Sequence, residues 1–344
     1  MSGGKKALIA LGVVVILALG AASAGFAWFR SQSNPSGPPG EEVAVEVPQG
    51  SSVQRIASIL EDEGIIESAS AFRLYVRTTG AKEFKAGEYE LRRRSSFDDV
   101  IAALEKGPAA EFDRLTVPEG LTLKQIAERV ATLPGRSAEA FLAALRGGQV
   151  RSRYQPAGST NLEGLLFPDT YNIEKDDDEA EILRRMVSTF DAKAAEAGID
   201  DVVQGGLVDP YQAIVVASLV EREAKLAEER GMVSRVIYNR LKAGMLLQVD
   251  ATVIYALGRT GERGLRVLFE DLEVQSPYNT YQVKGLPPTP IAAPGLASLK
   301  AAVSPTPGPW LYYVVVAPDG RHAFGETAAE HSRNIAAAER AGVR

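Results

Sequence analysis

Residues 209–244 read DPYQAIVVASLVEREAKLAEERGMVSRVIYNRLKAG, the longest helical pattern in the chain, and the stretch ASLVERE at 217–223 decides how it is read. Two carboxylates follow an apolar run suited to burial, so one of them must be accounted for inside the protein. If Tyr211 to Glu229 is one helix, side chains three, four and seven positions apart share a face. For Glu223 these are Val216, Leu219, Val220, Leu226 and Ala227, all apolar. For Glu221 they are Ile214, Ala217, Ser218, Ala224 and Lys225, with the lysine in the favourable ion-pair orientation. Glu221 therefore reads as a surface or boundary residue and Glu223 as the buried one. Burial disfavours the charged form, so Glu223 is expected to hold a proton near neutrality, the state a general acid needs. The ordinary alternative is a glutamate paired with a buried arginine, Arg235 or Arg240.

A chain of 344 residues, 45% hydrophobic and 24% charged, is long enough for two folded domains. With 38 basic and 44 acidic residues the net charge is -6, which argues against nucleic acid as the main partner. Cysteine is absent and His322 and His331 are the only histidines, so no thiol nucleophile is available, and neither a metal site nor a cofactor is expected. A Ser-His-Asp hydrolase is disfavoured, since no G-x-S-x-G elbow occurs and both histidines fall in or beside a terminal hairpin and helix. GRTGERG, 258–264, has neither the spacing nor the following helix of a dinucleotide fingerprint. Carboxylates and hydroxyls must carry the chemistry.

After Lys5 and Lys6, the segment Ala7 to Trp28 has no charged residue, and none appears before Arg30. As a helix it is long enough for a hydrocarbon core of roughly 30 Å. It reads as a single membrane span rather than a cleaved signal peptide, although AASAG offers small residues of the cleavage kind. The two lysines favour a cytoplasmic amino terminus, with everything from Arg30 onward outside the cytoplasm. SQSNPSGPPGEE, Ser31 to Glu42, reads as a flexible spacer.

A weak internal repeat follows. VEVPQGSSVQRIASIL from Val45 aligns without gaps on LTVPEGLTLKQIAERV from Leu115, each copy a short strand, a Pro/Gly turn, a Ser or Thr helix start and an amphipathic helix. After the first copy, SASAFRLYVRTTG reads as a helix, FKAGEYEL as a strand and SSFDDVIAALEKG as another helix. Strand, helix, helix, strand resembles the LysM glycan-binding module; an α+β spacer that binds nothing is the plainer reading. From about Asn161 helices dominate, until WLYYVVVAPDG and HAFGET read as a β-hairpin and AAEHSRNIAAAERAG as a last helix. The expected fold class is α+β: one transmembrane helix, a LysM-like α+β region, then a mainly helical α+β catalytic domain with a hairpin. The expected boundaries are 1–6 for a cytoplasmic tail, 7–29 for the span, 30–42 for the linker, 43–155 for the LysM-like region and 156–344 for the catalytic domain.

Three polar clusters punctuate the second half: LEGLLFPDTY (162–171), LLQVDATVIYALG (246–258) and SPYNTYQVKGLPPTPIAAPG (276–295). Proline-stiffened loops carrying Tyr and Asn suit a carbohydrate cleft, and structural turns explain the prolines equally well.

ASLVEREA, the NRL..GM.LQ.DATVIYALG run, SPYNTY...GLPP.PIA.PG and the H.F..T..EH..N ending, in this order behind a span and a LysM-like region, closely resemble the membrane-anchored endolytic murein transglycosylases. The resemblance covers nearly the whole chain and is densest from Asn161 to Ile335. In that family the second Glu of the E-x-E pair is catalytic, which falls on Glu223; Ala224 stands where some relatives carry Thr. The resemblance implies cleavage of the β-1,4 bond between N-acetylmuramic acid and N-acetylglucosamine inside peptidoglycan strands, leaving a 1,6-anhydro end. It also implies an inner-membrane location with the catalytic domain periplasmic, and cell-wall synthases (penicillin-binding proteins) as partners. Gln248, Asp250, Tyr278, Asn279, Tyr281 and Glu163 are expected near the glycan, with Asp250 and Glu163 as candidates for a second carboxyl. A hydrolase on the same scaffold would need that second carboxyl. A tethered glycan-binding protein without catalysis is the reading from another class.

Overall fold

The computed structural model describes residues 3–80, 83–108, 112–202, 207–259 and 267–343, with side chains from residue 11 onward. Most of the GRTGERG segment lies outside the described residues. The chain divides into two compact units, Met1–Glu111 and Phe112–Arg344. It is helix-rich α+β, and its strands pair only as separate two-stranded antiparallel sheets.

The first unit opens with α1 (Gly3–Ser33), in which an 18-residue window of the stretch Leu11–Ser33 has a mean hydropathy of 2.1 and the apolar side chains are exposed. It is long and apolar enough to cross a membrane. The expected spacer is shorter than its composition suggests. The helix runs to Ser33, Gly40 N–H donates to the Arg93 carbonyl, and Arg94 Nη2 donates to the Ser36 carbonyl. Then come β1 (Glu42–Val47), α2 (Val53–Asp62), α3 (Ala69–Thr79), β2 (Gly87–Arg92) and α4 (Phe97–Lys106), with Val45 opposite Tyr89 across the β1–β2 pair. Alternation along β1 turns Val45 and Val47 inward, where they join Ile56, Leu60, Phe72 and Phe97 in one core.

The second copy of the repeat builds the same order with a strand the sequence reading did not assign. β3 (Phe112–Thr116) leads to α5 (Leu123–Val130) and α6 (Ala138–Arg146), and its antiparallel partner is β4 (Thr170–Glu174), with Leu115 opposite Tyr171. The conserved-looking turn has a local cause in both copies: Gly50 and Gly120 sit at φ +76° and +80°, and Ser52 and Thr122 cap the helices by accepting the Arg55 and Gln125 N–H. Leu115, Ile126 and Phe141 share a core with α7 (Glu179–Glu196) and the helices beyond, so residues 112–155 pack with the second half of the chain.

At the centre of that core lies α8 (Pro210–Glu223), started by an Asp209–Gln212 capping box with Pro210 in the first turn. Ala213 through Glu221 are buried on every side. The helix does not continue to Glu229. Ala224 is extended (φ -82°, ψ 110°), a short 3-10 turn follows at Ala227–Glu229, and α9 (Arg230–Lys242) starts anew. α10 (Asp250–Ala256), α11 (Leu296–Val303), the hairpin β5 (Tyr312–Val315) and β6 (His322–Gly325), and α12 (Ala328–Arg340) complete the unit.

Candidate active site

The last residue of α8 carries its carboxylate into an open cleft of about 420 Å³. Glu223, Arg240, Gln248, Asp250, Tyr281 and Tyr313 line it, with His322 and His331 at one side. The end of α8, the inner face of α9, the start of α10 and strand β5 converge here, with β6 and α12 contributing the two histidines.

Glu223 is half-buried, and Tyr313 Oη donates to its Oε2 at 2.9 Å. Burial, and secondly the nearby Asp250 carboxylate, push its pKa from the ordinary 4.5 up to about 7. The Tyr313 hydroxyl, the Ala251 N–H and Arg222 pull in the other direction and are outweighed. Burial and the Glu223 carboxylate drive the Tyr313 phenol well above its usual value, so Tyr313 stays a donor. Asp250, exposed at the first turn of α10, accepts a hydrogen bond from Tyr281 Oη.

The loops that hold these groups are locked to each other. Gln248 has φ +51°, a left-handed conformation that costs a non-glycine residue energy, and its N–H donates to the Thr280 carbonyl at 3.1 Å. Val249 N–H donates to Thr280 Oγ1 at 2.9 Å, and the buried Thr252 hydroxyl lies 2.9 Å from the same oxygen. LQVDAT and YNTY, two clusters far apart in sequence, thus meet through Thr252 and Thr280. Arg240 fixes the opposite wall: Nε donates to the Leu311 carbonyl and Nη1 to the Leu247 carbonyl, both at 2.6 Å, with the guanidinium 5.3 Å from the Tyr312 ring centre. Burial lowers the Arg240 pKa from its usual value. Behind Tyr313, the His322 ring packs edge-on at 5.3 Å, held by its Nδ1 at 2.7 Å from the buried Glu229 carboxylate.

The helical-face reading of the two glutamates is corrected on one point. Glu221, not Glu223, is the fully enclosed carboxylate, at 1% exposure. Its Oε2 accepts from Ser298 Oγ at 2.8 Å and Gly295 N–H at 3.2 Å, and Oε1 lies 3.9 Å from Arg230 Nη2. The face argument failed because the helix stops at Glu223, so Leu226 and Ala227 are not on it, and because α8 is buried all round. The arginine alternative is realised at Glu221 through Arg230, while Arg235 donates to the Pro305 and Thr306 carbonyls.

Among the other expected site residues, Gln248, Asp250 and Tyr281 line the Glu223 cleft and three do not. Asn279 is fully buried, its amide donating to the Leu272 and Val274 carbonyls and its oxygen accepting the Tyr281 N–H, so it shapes the loop from inside. Glu163 and Tyr278 line a separate cleft with Tyr255. Glu163 is buried, accepts from Leu123 N–H and Tyr255 Oη, and has its pKa pushed up to about 7 by burial. Tyr313 was missed, while Arg240 was considered only as an ion-pair partner of Glu223 and His322 only in a disfavoured Ser-His-Asp arrangement. The Tyr313 signal was present in YYVVV: in a half-buried strand alternate residues face one way, and Tyr313 is one of them. Among the described residues, no three His, Cys, Asp or Glu side chains cluster so as to hold a metal ion.

A carboxyl raised in pKa by burial at the end of a buried helix, hydrogen-bonded by a phenol and close to a second carboxylate, is the kind of group acid–base chemistry uses, set here in an α+β fold. The chain belongs to the YceG-like family, whose model matches residues 45–337. It is 36% identical over 306 residues to the endolytic murein transglycosylase of Bacillus subtilis, covering 85% of this chain and 83% of that one. It is 31% identical over 322 residues to the endolytic murein transglycosylase of Streptococcus pneumoniae, covering 86% of this chain and 58% of that one. A crystal structure of a YceG-like protein from Listeria monocytogenes superposes with a TM-score of 0.55 at 34% identity, covering 86% of this chain and 99% of that one.

Proposed function

We propose that this protein is an endolytic murein transglycosylase in which Glu223 is the one catalytic acid and base. The observation that carries the reading is the Glu223 carboxyl itself, with its pKa pushed up to about 7 and its place in the cleft. In the first step the Glu223 proton passes to the bridging oxygen of the MurNAc–GlcNAc bond as the C1–O bond breaks, and the N-acetylglucosamine unit leaves with a new hydroxyl. The resulting carboxylate then takes the proton of the muramoyl C6 hydroxyl, whose oxygen bonds to C1 and closes the 1,6-anhydro ring. No water is consumed and Glu223 ends protonated. A pKa near working pH suits a group that must give and then take a proton.

Tyr313 fits both steps. Because its hydroxyl donates to Oε2, the transferable proton belongs on Oε1, and the same hydrogen bond stabilises the carboxylate between steps. Asp250 and Gln248 are the side chains for the sugar nearest the acid, with Tyr281 as a positioning residue for Asp250.

The homologues' names and the apolar helix α1 support a bitopic protein acting on peptidoglycan at the cell membrane, amino terminus cytoplasmic and catalytic unit outside. The strand–helix–helix–strand order of the first unit supports a LysM-like glycan-holding role for it, and wall synthases are the partners this reading expects. The test is mass spectrometry of soluble fragments released from purified peptidoglycan by the full chain in detergent, beside Glu223→Gln. Anhydromuramoyl ends from the wild type and none from the variant are expected; equal release by both would remove Glu223 from the reaction.

A further inference from the structure

We propose that the second cleft of the Phe112–Arg344 unit, lined by Glu163, Tyr255 and Tyr278, is a distal subsite that holds sugars of the glycan strand beyond the catalytic cleft. The inference rests on the transglycosylase reading and extends it to the course of the substrate.

The second cleft has a volume of about 400 Å³ and lies wholly outside the set of residues around Glu223. Two elements nevertheless run from one cleft to the other. α10 starts at Asp250 in the catalytic cleft and presents Tyr255 and Ala256 from its last turn to the second, about 7.5 Å along the axis from Asp250 to Tyr255 at ~1.5 Å per residue. The loop after it has Ser276 and Tyr278 in the second cleft and Tyr281 in the first, no more than about 10 Å of extended chain between Tyr278 and Tyr281. These spans, along one short helix and one loop, are of the order of a disaccharide repeat, so the second cleft lies within the reach of the next sugars of a strand held at Glu223. Cleavage inside a strand requires that the strand continue past the scissile bond.

The side chains suit a sugar. The Tyr255 and Tyr278 rings lie 4.8 Å apart at 53°, and each is fixed through its hydroxyl: Tyr255 donates to Glu163 Oε2 at 3.1 Å, and Tyr278 Oη lies 2.9 Å from Thr289 Oγ1. Glu163 in turn is held by the Leu123 N–H at 2.9 Å. This buried carboxyl, which the reaction does not use, is therefore the anchor of a preorganised aromatic surface, the form in which binding costs least ordering. Pyranose rings present apolar C–H faces to such surfaces and hydroxyls to the polar rim, which Lys124 and Ser276 supply here.

The experiment uses the full chain in detergent and glycan strands freed of stem peptides and fractionated by length. For wild type, Tyr278→Ala and Tyr278→Phe, kcat/KM is measured on long strands and on the shortest strand that is cleaved. Tyr278→Ala is expected to lower the long-to-short ratio about three- to tenfold, the worth of one aromatic contact, while Tyr278→Phe, which keeps the ring, retains it. A Tyr278→Ala ratio equal to wild type, or an equal fall in both variants, would overturn the subsite. A purely structural role would lower both rates together and leave the ratio in place. A wild-type protein that cleaves no strand of any length would instead count against the transglycosylase reading itself.

Discussion

Replacing Tyr313 by Phe removes one hydroxyl and nothing else from the wall of the catalytic cleft. That hydroxyl donates to Glu223 Oε2 at 2.9 Å from a buried position. A hydrogen bond to a charged group is worth about 1.5–3 kcal/mol. It stabilises the ionised carboxylate over the acid, so it holds the Glu223 pKa down against burial and Asp250. Deleting it should raise that pKa from about 7 by about one to two units, taking 1.36 kcal/mol per unit. In the proposed mechanism the reaction begins with protonated Glu223, so activity should fall on the alkaline side as the carboxyl ionises. In Tyr313→Phe this alkaline limb should move to higher pH while the plateau drops, because a weaker acid protonates the bridging oxygen less readily. The assay is the initial rate of fragment release from dye-labelled peptidoglycan between pH 5 and pH 10, with the fold checked by circular dichroism at each pH. An alkaline limb that stays in place or moves to lower pH would refute the hydrogen-bond argument and separate Tyr313 from the acid.

Other consequences concern stability. Glu221→Ala should lower unfolding free energy by about 2–4 kcal/mol in urea titration, since it leaves the buried Ser298 hydroxyl and Gly295 N–H without their acceptor and Arg230 with Glu119 alone, whereas Glu223→Gln should leave stability equal or higher. Glu163 has a folded pKa of about 7 against an ordinary 4.5, so between these values the folded state binds more protons than the unfolded. Its contribution, up to about 3 kcal/mol, is complete below pH 4.5 and lost as pH rises through 7; Glu163→Gln should flatten that slope in thermal melts across this window. Gly164→Ala should destabilise by at least about 1–2 kcal/mol, because Gly164 has φ +73° and an added Cβ would fall 2.3 Å from Pro290 Cβ.

What was legible in the sequence was local. The two Pro/Gly turns with their Ser and Thr caps and the hairpin follow from short-range rules, and the structure builds them, whereas the helix expected over Tyr211–Glu229 breaks at Ala224. What was not legible depended on partners distant in sequence. β4 pairs with β3 across some fifty residues that include two helices, and nothing local in TYNIE names its partner. Glu221 and Glu223 stood on a helix with no exposed face, so periodicity had nothing to discriminate; Ser298, Gly295 and Arg230 decided which carboxylate was enclosed. Asn279 looked like a ligand because it sits between tyrosines in a rigid loop, yet carbonyls seven and five residues earlier claim its amide. Arg240, offered as a buried partner for Glu223, has its guanidinium bonded to backbone carbonyls and joins α9 to β5 through that of Leu311.

The most direct test of the central claim, that one carboxyl both gives and takes the proton and no water enters the bond, is to run the cleavage in ¹⁸O-labelled water and weigh the muramoyl ends. The account predicts unlabelled ends lighter by one water than a reducing sugar. Labelled reducing ends would mean that water attacks C1, and would turn attention to Asp250 beside Glu223 as the base of a hydrolase.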